Sequence, residues 1–240
     1  MSVVNWSRQG AVAVVSFDNG ENRHNPAFVN DFLDTMASVE ADVEVQAVVL
    51  TSSDLKNWSL GIDLAWISTA SADRSRHDEV RSFLKGLNDV YARVLTFPTP
   101  VIAAIGGHAF GGGAILACAC DYRLMRSDRG FFCFPEVDVN IPFLPGMLAI
   151  VQRAVPAWVL DDIYLSGRRL GGAEVVEKHI GSMAYEGVEA LQTGALALAG
   201  SFNKGRAVFG EIKRRKHSHI LKILREDDAP YIERLALVAK

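Results

Sequence analysis

Two features within residues 101–136 have types and spacing suited to chemistry: a loop with five glycines (Gly106, Gly107, Gly111, Gly112 and Gly113) and a glutamate, Glu136, at the end of the run FFCFPE. Glycines let a backbone approach a ligand closely. A helix starting near Gly112 would turn its first, unpartnered amides and the positive end of its dipole toward whatever sits in the loop. An oxygen carrying negative charge fits there. Glu136 follows Phe131, Phe132, Cys133, Phe134 and Pro135, so its carboxylate is expected to be partly desolvated and raised toward the pKa of a working base. An amide pocket and one such carboxylate in a single unit point to proton abstraction next to a carbonyl. The bland alternative is a glycine turn that only lets a helix pack closely on a strand.

Two nucleotide readings of the loop fail. A phosphate-cradling loop needs Lys and then Ser or Thr after its last glycine, where this chain has Gly113 and Ala114; a dinucleotide fingerprint needs a small residue where Leu116 stands.

The elements that must position these groups follow from pattern. The apolar, β-branched run VIAAI reads as a strand and AILACAC as a buried helix. Upstream, the spacing of Val80, Phe83, Leu84, Leu87, Val90, Tyr91, Val94 and Leu95 predicts a helix over 79–97, stopped by Pro98 and Pro100. Strands are expected over 11–18 and 45–51, and a helix after Asn25 (cap) and Pro26 (first turn), with Phe28, Phe32, Leu33 and Met36 on its apolar face. Residues 69–78 read as a polar connection and 137–146 as a loop or short strand whose Ile141, Phe143 and Leu144 shape an apolar tunnel or simply pack. Two apolar helical segments flank Pro156, and the chain is mostly helical beyond Tyr185.

Composition narrows the class. With 240 residues, 49% of them apolar, the chain can bury a large core; 25 basic against 28 acidic residues leave a net charge of -3, which argues against nucleic acid or an anionic membrane as partner. Cys118, Cys120 and Cys133 lie in apolar runs and read as buried thiols rather than metal ligands. No run reaches the ~20 apolar residues a bilayer needs. The start MSVVNWSRQG lacks a secretory core, and the final VAK is not a peroxisomal address; a cytoplasmic protein is the expectation.

The run PTPVIAAIGGHAFGGGAILACACDYRLM, followed by FPE, and the upstream NWSLGIDL together resemble the crotonase fold of the enoyl-CoA hydratase and isomerase superfamily. The resemblance spans nearly the whole chain. It implies an α/β fold of stacked ββα units, with a core over 1–185 and a C-terminal helical trimerisation region over 186–240. It implies an acyl-CoA thioester as substrate, with no metal and no cofactor beyond the coenzyme A that the substrate carries, and assembly as a homotrimer or a hexamer built from two trimers. Carried over by motif, the backbone amides of Ile62 and Gly112 form an oxyanion hole. Arg23, His24, Ser59, Leu60, Gly61, Asp63, Leu64, His108, Gly113 and Pro135 fall at substrate- or CoA-contacting positions. For Asp63 a helix cap, and for His108 a loop histidine bonded to backbone, are the plainer readings. Lys213, Arg214, Arg215 and Lys216 form either a solvated face or a site for the 3′-phosphate of CoA.

Hydratases of this superfamily use two glutamates. Laid on this chain, the second is Glu136 and the first falls on Ile115, which moves no proton. One carboxylate suffices to shuttle one proton, so the resemblance points to the Δ3,Δ2-enoyl-CoA isomerases with Glu136 as the catalytic residue. The alternatives are another reaction on this fold (hydration, thioester hydrolysis, decarboxylation) or a non-catalytic acyl-CoA-binding paralogue.

Overall fold

The computed structural model describes residues 2–236; the last four residues of the expected C-terminal region lie outside the described part. The chain begins with a hairpin of β1 (Val4–Gln9) and β2 (Val12–Phe17), then the two-residue strand β3 (Arg23–His24) and helix α1 (Pro26–Ala41). Asn25 caps α1 by accepting the Phe28 N–H, and Pro26 occupies the first turn, as expected. Next come β4 (Ala47–Ser52), β5 (Asn57–Ser59), β6 (Gly61–Ile62), α2 (Leu64–Ala72) and α3 (His77–Thr96). The third unit is β7 (Val101–Ile105), β8 (His108–Phe110) and α4 (Gly112–Ala119); the fourth is β9 (Tyr122–Arg126), β10 (Phe132–Cys133), α5 (Glu136–Val139), α6 (Pro145–Ala154) and α7 (Ala157–Ser166). Helix α8 (Gly172–Glu177) and β11 (Met183–Tyr185) lead to α9 (Val188–Gly200), α10 (Arg206–Lys216), α11 (Ser218–Lys222) and α12 (Ala229–Glu233), with a π-turn over Ile223–Asp227 before the last.

The repeating order is strand, strand, helix. The first strand of each unit enters one six-stranded sheet, ordered β1-β2-β4-β7-β9-β11, parallel except for the β1/β2 hairpin. The second strands form smaller parallel sheets, β10-β8-β5 and β3-β6. This is the expected architecture of stacked ββα units.

The large sheet is covered on both faces, which is why its strands read as continuous apolar runs. Alternation sorts their residues: Ala13, Val15, Val48, Leu50, Val101, Ala103 and Ile105 face the main core with α1, α3, α4 and α6. Val12, Ala47, Val49, Ile102, Ala104 and Leu124 face the other way, onto Leu191, Ala195 and Ala199, one stripe of α9. The first helix after residue 185 therefore completes the sheet.

Two sequence expectations change, and several strands were not anticipated. Residues 69–78 fold mostly as the end of α2 and a 3₁₀ turn rather than as an open connection. Residues 137–139 belong to a short helix that Glu136 opens, where a loop or strand was expected, because β10 ends at Cys133 and Pro135 starts a helical turn. Strand β1 and the two- and three-residue strands β3, β5 and β6 carry too few residues or too little apolar alternation to be read locally.

Candidate active site

The parallel pairing of β10 with β8 brings the two features of the central stretch together. Gly111 N–H donates to the Cys133 carbonyl at 3.0 Å, so the chain leaving β10 runs alongside the glycine loop. Glu136, first residue of α5, lies over Gly111: a Cβ on that glycine would stand 3.3 Å from Glu136 Oε1. The second oxygen, Oε2, is buried without a hydrogen-bond partner. Burial pushes the carboxyl up to about 7, where a base changes state near neutral pH. From Glu136 opens an apolar cavity of about 470 Å³, walled by Val137, Ile141, Phe143, Leu148 and Tyr164.

The donors come from two neighbouring turns. Gly112 is the first residue of α4, so its N–H has no partner within the helix and sits at the positive end of the helix dipole. Tyr91 hydroxyl reaches the carbonyl of the same residue at 3.4 Å. On the facing turn, Asp63 N–H donates to the His24 carbonyl at 2.9 Å. In a parallel ladder the preceding residue turns its N–H the other way, which aims the Ile62 amide at Gly112: a Cβ on Gly112 would lie 3.4 Å from Ile62 N. Gly61 makes the approach possible. Its φ is +71°, and a Cβ there would come 2.5 Å from Gly112 N and 2.7 Å from the Phe110 carbonyl. Glu136 beside Gly111 and two amides meeting at Gly112 thus occupy one neighbourhood.

The remaining expected residues divide into those at the site and those behind it. Arg23 is half-buried and pairs with Glu21 at 2.9 Å. Leu60 donates its N–H to the Glu21 carbonyl at 3.1 Å, and Leu64 opens α2. Asp63 caps α2 by accepting the Trp66 N–H at 3.0 Å, the plainer of its two readings. Pro135 precedes α5 and positions Glu136. His108 sits on β8, its ring stacked on Phe131 at 5.6 Å, and burial with Arg169, Lys56 and Arg129 around it lowers its pKa. His24, Ser59 and Gly113 are among the most deeply placed of the expected residues. His24 and Ser59 are 0% exposed, and a Cβ on Gly113 would fall 2.3 Å from the Ser59 carbonyl. They lie behind the pocket, where Gly113 presses α4 against β5 at Ser59. Of the basic cluster, Lys213 is buried against Asp121 at 2.6 Å, whereas Arg214, Arg215 and Lys216 are exposed and the two arginines share Glu211; three of the four cations lie on a solvated face.

Among the described residues, no second acid joins Glu136 in the cavity lining. Ile115 is fully buried in the core, Asp63 is taken up by its cap, and Asp138 points at Gly167, where a Cβ would be 2.4 Å from Asp138 Oδ2. Among the described residues lining the cavity, Glu136 is the only carboxylate. Of the residues read as lining a tunnel or simply packing, Ile141 and Phe143 wall the cavity and Leu144 belongs to the core; Leu148 and Tyr164 were missed because they come from helices whose apolar faces look like ordinary core.

Comparison with known proteins decides the family. The family model described as enoyl-CoA hydratase/isomerase matches residues 7–221. The chain belongs to the enoyl-CoA hydratase/isomerase family. Within it, the chain is 30% identical over 182 residues to enoyl-CoA delta isomerase 2, peroxisomal, of Arabidopsis thaliana, covering 75% of this chain and 76% of that one. It is 32% identical over 185 residues to enoyl-CoA delta isomerase 3 of the same plant, with 75% and 76% coverage. Among solved structures, the probable enoyl-CoA hydratase EchA3 of Mycobacterium tuberculosis superposes with a TM-score of 0.86 at 20% identity, covering 98% of this chain and 96% of that one. At that identity the likeness establishes the crotonase fold.

Proposed function

We propose that this member of the enoyl-CoA hydratase/isomerase family is an enoyl-CoA isomerase that moves a double bond from C3–C4 to C2–C3 of an acyl-CoA thioester. The observation that carries the reading is the solitary Glu136, raised to about 7 by burial and set beside the Gly112 and Ile62 amides. The similarity to the two plant delta isomerases supports it.

In this reading Glu136 takes a proton from C2 of a 3-enoyl-CoA. The C–H electron pair becomes the C1–C2 π bond of a dienolate, and the carbonyl π pair moves onto the thioester oxygen as negative charge, held by the Ile62 and Gly112 N–H groups. The oxyanion then re-forms the thioester carbonyl, the C1–C2 π electrons close the C2–C3 double bond, and the C3–C4 π electrons take the proton back from Glu136 at C4. One proton moves and nothing else is consumed, so no cofactor is required; coenzyme A arrives as part of the substrate. The apolar cavity takes the acyl chain. Each backbone donor is worth ~3 kcal/mol in the transition state. Hydration would need a second acid or base to protonate carbon while the first activates water, and Ile115 supplies none. The reading extends to a homotrimer or hexamer working in the cytoplasm. Incubation with 3-enoyl-CoA and 2-enoyl-CoA side by side tests it: isomerisation of the first with negligible hydration of the second is expected. Hydration as the faster reaction would overturn it.

A further inference from the structure

His24 is an ionisable group sealed behind the oxyanion pocket that the proposed chemistry leaves unused. It is fully buried, its ring stacked on Phe28 at 4.4 Å and 16°, with Nε2 3.0 Å from Ser59 Oγ. The protons around that oxygen fix the state of the imidazole. The Asn22 carbonyl, 2.8 Å from Ser59 Oγ, can only accept, so the single hydroxyl proton is committed to it. Gly61 N–H donates to the same oxygen at 3.1 Å. Nε2 must therefore carry a proton and donate to the remaining lone pair of Ser59, which leaves Nδ1 bare. Nδ1 is buried without a partner. It faces the pocket floor, where a Cβ on Gly112 would come within 3.2 Å of it. Burial pushes the imidazole down to about 3, which keeps it neutral at any working pH.

We propose that His24 is a positioning residue for the oxyanion hole: protonated on Nε2, it completes the hydrogen bonding of Ser59, and Ser59 in turn holds the Gly61 turn that aims the Ile62 N–H at the thioester oxygen. The inference deepens the isomerase reading and rests on it. A saturated Ser59 oxygen has one rotamer that satisfies three partners. Without the imidazole donor, the hydroxyl is free to turn, Gly61 loses its tether, and the amide one residue on shifts. A proton on Nδ1 instead would turn the positive end of that N–H dipole toward the positive end of α4.

Two measurements test this. Imidazole ¹⁵N NMR of the wild-type protein is expected to show His24 protonated on Nε2 and bare on Nδ1 from pH 5 to 9; the opposite tautomer, or a titration in that window, overturns the proposal. In kinetics, His24→Leu removes the donor at similar bulk and is expected to lower kcat about tenfold with KM nearly unchanged, the mark of a displaced transition-state donor. His24→Gln, whose side-chain amide can donate to Ser59, is expected to recover most of the loss. Wild-type kcat in His24→Leu, or His24→Gln as slow as His24→Leu, overturns it. The NMR measurement needs no substrate, so it judges His24 even if His24→Leu fails to fold or the wild-type protein proves not to be an isomerase.

Discussion

Glu136 sits in an environment that works against its own charge, and this has consequences for both rate and stability. Since burial raises its carboxyl to about 7, kcat/KM for a 3-enoyl-CoA should rise about tenfold per pH unit below that value and level off above it, because the ionised form is the base. Glu136→Gln should lower kcat by a hundred- to ten-thousandfold, roughly the worth of a general base, without exposing any hydratase activity. The linkage runs the other way for folding. The native carboxyl holds its proton from its ordinary 4.5 up to about 7 while the unfolded chain has released it, so wild-type stability declines as pH rises through that window. Glu136→Gln escapes the decline and should be more stable above pH 7 by up to about 3 kcal/mol. Thermal melts of both proteins at pH 5 and 8 check this; a gap that does not widen with pH would contradict the desolvated carboxylate. The helix start at Gly112 and the glutamate after the aromatic run were legible as residue patterns, whereas the place of Ile62 came only from the resemblance. The burial of His24 was not legible, since it depends on Ser59, a neighbour 35 residues away.

At the scale of elements, the site depends on strands of two or three residues. Strands β3 and β6 pair only at Arg23 with Gly61 and His24 with Ile62, too briefly for any two-residue period to show in sequence. They exist because the larger sheet and the glycine loop hold their ends. Helix α4 was legible, its start at Gly112 marked by the glycines and its apolar run continuing after them. The closeness of these elements makes Gly61 sensitive. Gly61→Ala, with its Cβ 2.5 Å from Gly112 N at a φ of +71°, should cost ~1–3 kcal/mol of stability and about a hundredfold in kcat, as misplacement of reacting geometry typically does. Gly200→Ala, where a Cβ meets nothing within 4 Å, is the control: it should leave kcat unchanged and, lying in α9, raise stability by up to about 1 kcal/mol. Circular dichroism melts and initial rates on both variants separate the local clash from any general intolerance of alanine.

For the whole molecule, the ββα repeat was legible through the resemblance, whereas the sheet order and the clasp that closes the C-terminal helices over the core were not. That clasp is Asp228, fully buried, which accepts from Gly146 N–H at 2.8 Å and Asn88 Nδ2 at 2.8 Å, residues 82 and 140 positions away. Nothing local marks an aspartate for such a role. Asp228→Ala leaves two buried donors without it and should cost ~1–3 kcal/mol, a fall in Tm of about 2–10 °C for a chain of this size, measured by calorimetry. The molecule's arrangement serves one purpose in this account: to bring a single carboxylate and two amides from distant parts of the chain to one thioester. The most direct test is a single turnover of a 2,2-dideuterated 3-enoyl-CoA in ordinary water. A carboxylate that carries the hydrogen itself should deliver measurable deuterium to C4 of the product, and Glu136→Gln should deliver none. Product formed at wild-type speed with no deuterium at C4, or label transfer that survives Glu136→Gln, would contradict the account.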